Sequence, residues 1–175
     1  MTTKTDYTDE EWRRLVRAPL VAGMAVSLAD PGGPIEATKE VVSSIRAMQS
    51  PPSDGELLHS IASDIRALTE QRTNVLGDLR IQPGPMAGEQ VLEELREVGA
   101  IVRSKADAGE AQAFGRWLVE VAQAAADAAK EGGFLGFGAE RVSAGEQHML
   151  ERLREALGTE ASSSSDVEPS PGDAS

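Results

Sequence analysis

Two histidines, no cysteine and one glycine-rich segment are where this sequence comes nearest to chemistry. His59 completes Glu56-x-x-His59, the i, i+3 spacing that sets two metal ligands on one helical face. Carboxylate-bridged di-metal bundles need two such pairs and two further glutamates. The second pair is missing here, because Gly145 stands three residues before His148. Nucleophilic catalysis has no cysteine to use and no G-x-S-x-G elbow. The segment Gly132-Gly133-Phe134-Leu135-Gly136-Phe137-Gly138 has the glycine content of a phosphate loop. Such a loop follows a strand, enters a helix directly and carries a cation. This one follows a helix and Glu131, and it has no basic residue before Arg141. Phe134, Leu135 and Phe137 therefore suit apolar contact: they fold back onto the body of the protein, or they form an exposed knob for a partner. These three are the candidate partner-binding residues. The expectation is a protein without catalytic residues.

The elements that must hold these residues are helical. The chain is rich in alanine, has only 3% aromatic residues and lacks strand-favouring runs. Thr8 to Glu11, Ser53 to Glu56 and Ser143 to Glu146 each read as a capping box, with a hydroxyl residue three before a glutamate. Behind them run apolar residues at helical spacing. Trp12, Leu15 and Val16 share a face; Pro19 removes a backbone donor and predicts a kink or break near Arg17. Leu20 to Leu28 is apolar nearly all round, as a central helix is. Asp30 to Pro34 is a sharp stop, and helical spacing resumes from Ile35 to Met48. Leu57, Leu58, Ile61, Ile65 and Leu68 form one stripe. Val91, Leu92, Leu95, Val98 and Val102 form another, with Glu93, Glu94 and Glu97 facing away from much of it. A break near Asp107 precedes the longest helix, with Phe114, Trp117, Leu118, Val121, Ala125 and Ala128 on one side. Met149, Leu150, Leu153 and Leu157 complete the last. The fold class is thus all-α, a bundle of six or seven helices with short loops over residues 8–158. Residues 159–175 are Ser, Pro, Gly and acid with almost nothing apolar, which predicts a disordered acidic tail.

The formal net charge is −12. That surface repels nucleic-acid phosphates and anionic lipid heads, leaving basic proteins or cations as partners. The stretch Met1 to Glu11 lacks the basic and apolar regions of a signal peptide. No apolar run reaches the length of a membrane span. Freedom from cysteine fits a reducing, cytoplasmic setting.

Two loops echo each other. Asp30-Pro31-Gly32 leads to Ile35 and a Glu-bearing helix; Glu131-Gly132 leads to Val142-Ser143-Ala144-Gly145-Glu146. This pattern resembles tellurite-resistance TerB-like domains. It departs from them at Lys39, where a glutamate belongs, and in the insertion from Phe134 to Arg141. The resemblance covers about two fifths of the chain. It implies a repeated helical hairpin, a stress-response role, and weak binding of a divalent cation such as calcium or magnesium by Asp30, Glu131 and Glu146. It implies no catalytic activity. The sequence thus leaves three classes: a non-enzymatic interaction or scaffold protein with a protein partner, a TerB-like cation binder, and a small-molecule enzyme.

Overall fold

A computed structural model describes residues 2–29, 46–51, 55–131 and 143–159, with 129–131 as backbone. Among them the fold is all-α. Five helices carry it: α1 Asp9–Ser27, α2 Glu56–Glu70, α3 Ala87–Lys105, α4 Ala108–Glu131 and α5 Ala144–Leu157. A 3-10 turn, Lys4–Asp6, precedes α1, and residues 46–49 form one helical turn. That turn is the described end of the helix expected from Ile35 to Met48. The tail from Glu160 onward lies outside the described residues.

Two of the expected capping boxes are present. Thr8 Oγ1 accepts from the Glu11 amide at 3.2 Å, while the Glu11 carboxylate accepts from the Thr8 amide at 2.7 Å. Ser143 and Glu146 repeat the exchange at 3.1 and 2.7 Å. Each pair satisfies two amides that the first helical turn leaves without partners. The start of α2 differs from expectation. Gly55 is its N-cap, so Glu56 occupies the first helical position and not the third that a box with Ser53 requires; Ser53 itself lies outside the described residues.

Of the kink or break expected near Arg17, the break does not occur. α1 runs unbroken through Pro19 for 19 residues. Proline removes one hydrogen bond and crowds the preceding turn. Ala18, Val21, Ala22 and Ala25 around it are fully buried, and this packing outweighs the local penalty. α1 is central as expected and touches all four other helices. Side-chain contacts between helices give their directions. Glu11 meets Lys105 while Arg17 meets Glu94, so α3 runs antiparallel to α1. Arg152 meets Glu89 while the Leu157 carbonyl meets Arg103, so α5 runs parallel to α3. Only Ala106 and Asp107 join α3 to α4, and Asp107 Oδ1 accepts from the Glu110 amide at 2.9 Å. Gly145 lets α5 begin hard against the end of α1: a Cβ there would lie 2.9 Å from the Ala29 carbonyl oxygen.

The predicted stripes on α1 to α5 face the core. Trp117, Phe114, Leu95, Leu118 and Leu153 are among its largest fully buried side chains. Tyr7 caps the core near the start of α1. Its ring packs on Trp12 at 5.9 Å, and Lys105 Nζ sits 5.4 Å from its centroid. Its hydroxyl is buried without a hydrogen-bond partner among the described residues. Burial, and then the charge of Glu110, push that phenol up to about 12. A buried unpaired hydroxyl costs about 1–3 kcal/mol of desolvation. Tyr7→Phe is therefore expected to raise stability by about 1 kcal/mol in urea melts; a loss of stability would show that the hydroxyl has a partner.

Candidate functional site

Where α1 and α2 diverge, a groove of about 490 Å³ opens between them. The segment Thr73 to Asp78 forms its outer lip. Its walls are mostly apolar: Trp12 and Val16 from α1, Ala67 and Leu68 from α2, Val75 and Leu76 from the lip. Leu68, Val75 and Leu76 are half-buried and packed against the core, so each offers one side to the opening. The lip has a defined shape. Arg72 takes a left-handed backbone, φ 54°, two residues past the end of α2. The Thr73 amide then returns to the Leu68 carbonyl at 2.9 Å, closing the helix end. Gly77, φ 62°, turns the lip again, and Asn74 Oδ1 accepts from the Leu76 amide at 3.1 Å.

Charged side chains rim the groove and are paired with one another. Asp64 Oδ2 accepts from Trp12 Nε1 and Lys4 Nζ, each at 2.8 Å. Burial alone would raise that carboxyl, but these two donors outweigh it and hold it below the ordinary aspartate value. Arg13 pairs with Glu10 at 3.2 Å. Arg17 donates through Nη1 to Asp78 at 2.9 Å. Asp78 is held below its ordinary value, first by its own backbone amide and then by Arg17.

Arg17 leads to an ion cluster behind the groove. Glu94, only 8% exposed, receives Arg17 Nε at 3.0 Å and Arg14 Nη2 at 2.6 Å. Arg14 also pairs with Glu97. Burial pushes the Glu94 carboxyl up, but the two guanidinium groups outweigh this and hold it below its ordinary value. The sequence sets Glu94 with Glu93 and Glu97, facing away from much of the apolar stripe of α3. Glu94 is instead one of the few buried charged side chains, because Arg14 and Arg17 come to meet it across the α1–α3 contact.

Most residues singled out from the sequence lie elsewhere. Asp30, Phe134, Leu135 and Phe137 fall outside the described residues, as do both echoing loops for most of their length. Glu131 closes α4, its backbone alone described. Glu146 is engaged as the reciprocal cap of α5. Among the described residues no three His, Asp or Glu side chains gather as metal ligands do. His59 and His148 are both exposed, and His59 Nδ1 lies 3.2 Å from its own helix cap, the Gly55 carbonyl. No periodicity in the sequence points to the groove. Its one sequence signal is the pair Val75-Leu76, apolar residues set between turn formers. A second hollow, of about 580 Å³, lies where the α3–α4 corner meets the end of α5. It is lined by Arg103, Gln112 and Leu157 together with alanine and glycine.

No protein-family model, no curated protein and no solved structure matches the chain. No helix among the described residues is long and apolar enough to cross a membrane.

Proposed function

We propose that this chain is a non-enzymatic interaction module that receives an apolar segment of a partner protein in the α1–α2 groove. The groove's make-up carries this reading: apolar walls of ligand-binding size, rimmed by charges already neutralised in pairs. A catalytic site needs an acid or base whose ionisation lies near the working pH. Asp64 and Asp78 are both held in the charged form, which favours binding over proton transfer. The net charge of −12 favours a protein partner over nucleic acid, and freedom from cysteine suits a cytoplasmic setting.

The test is to select a displayed random-peptide library on the wild-type chain and re-measure the winners on Leu76→Glu. Leu76 is half-buried at the lip, so the variant is expected to keep its far-ultraviolet circular dichroism. Apolar-centred peptides are expected to emerge and to lose about tenfold or more in affinity, the equivalent of one buried aliphatic contact. Peptides that bind both proteins equally would remove the groove from the reading.

A further inference from the structure

The charges behind the groove do not balance. Arg14 and Arg17 face three carboxylates, Glu94, Glu97 and Asp78. The Glu94 side chain is 8% exposed and that of Arg17 7%, whereas the Asp78 side chain is 75% exposed. Arg17 contacts Glu94 through both Nε and Nη2, at 3.0 and 2.9 Å. It therefore stays neutralised if Asp78 lets go, and the cluster left behind holds two positive and two negative charges. Asp78 is the surplus carboxylate and the accessible one. The other cations on the rim are engaged, Lys4 by Asp64 and Arg13 by Glu10. Asp78 ends the lip whose Val75 and Leu76 form the apolar wall. A cationic group that reaches it thus stands beside whatever fills the groove.

We propose that Asp78 is the recognition carboxylate of the groove: it exchanges Arg17 for an Arg or Lys of the partner, whose neighbouring apolar side chain occupies the cavity. This rests on the groove being a docking site. The exchange leaves no buried charge unpaired, which is the usual penalty for breaking an ion pair in a protein interior. The strongly acidic surface draws basic segments toward the site and repels acidic ones.

The probes are three capped peptides, identical but for one position: Leu-Phe-Arg, Leu-Phe-Gln and Leu-Phe-Glu in a Gly-Ser frame. Isothermal titration calorimetry at low salt measures each against the wild-type chain, Asp78→Asn and Leu76→Glu. The Arg peptide is expected to bind wild type about fivefold more tightly than the Gln peptide, the span of an exposed ion pair. The Glu peptide is expected to be weakest. Asp78→Asn is expected to bring the Arg peptide down to the Gln level and leave the Gln peptide unchanged. Raised salt shrinks the Arg advantage. Equal affinity for Arg and Gln peptides, or an Arg preference that survives in Asp78→Asn, overturns the role of Asp78 while leaving the groove as a binding site. Failure of every peptide to bind wild type, or equal binding to Leu76→Glu, overturns the docking reading itself.

Discussion

Replacing Trp117 with alanine is expected to cost about 3–5 kcal/mol, the range for truncating a large buried aromatic residue. Three features place it there. The side chain is 1% exposed. Its ring meets Phe114 edge-on, with centroids 6.3 Å apart and planes at 73°, an arrangement that aromatic quadrupoles favour. Its Nε1 donates to the Ala47 carbonyl at 3.0 Å, tying the helical turn 46–49 to α4. Truncation removes the packing and leaves that carbonyl without its donor. Trp117→Phe separates the two effects. It keeps most of the ring contact and loses the hydrogen bond, so it is expected to cost less than half as much. Urea unfolding followed by circular dichroism measures both. A loss under about 1 kcal/mol for Trp117→Ala would mean that the core is not anchored at this residue.

The second large effect lies at Glu94. Glu94→Gln keeps the shape and one acceptor but removes the charge that Arg14 and Arg17 share. Arg17 is 7% exposed, so its guanidinium then depends on Asp78 alone. Removing one partner of a fully buried ion pair costs about 3–5 kcal/mol because the other is left unmatched; here Asp78 and Glu97 keep Arg17 and Arg14 partly matched, so a loss toward the lower end of that range is expected. Exchanging both Arg17 and Glu94 for methionine is expected to recover much of the loss, since no buried charge is then stranded. Without such recovery, the cost would have to come from packing.

The same site has a pH signature. The folded Glu94 carboxyl titrates below its ordinary value of 4.5, because Arg14 and Arg17 outweigh burial. Below the ordinary value, therefore, the unfolded chain takes up a proton more readily than the folded one, and stability rises with pH across that interval. The contribution is complete above 4.5 and is lost as pH falls through the lower folded value. Glu94→Gln is expected to flatten this acid limb without abolishing it, because Asp64, Asp78 and Glu89 are also held low by their hydrogen-bond and ion-pair partners. An acid limb of unchanged slope in the variant would show that Glu94 does not titrate as its surroundings require.

What the sequence determined by itself is local. The stripes on α1 to α5 were legible because helical periodicity repeats within a few residues. The caps at Thr8 and Ser143 were legible because a box closes over three, and so was the stop at Asp107. What only the tertiary structure decided rests on distant partners. Pro19 predicts a kink or a break by its own chemistry, yet its helix continues because the burial of Ala18, Val21, Ala22 and Ala25 outweighs one lost hydrogen bond. Glu94 stands between Glu93 and Glu97, and nothing in its neighbourhood distinguishes it from them. It is buried because Arg14 and Arg17 lie 80 and 77 residues away in the chain and a few ångströms away in space. The groove likewise joins Trp12, Asp64 and Leu76, which no periodicity connects. A pattern along the chain records which face of a helix avoids water; which charges meet, and where a gap remains, depends on how the finished helices stack.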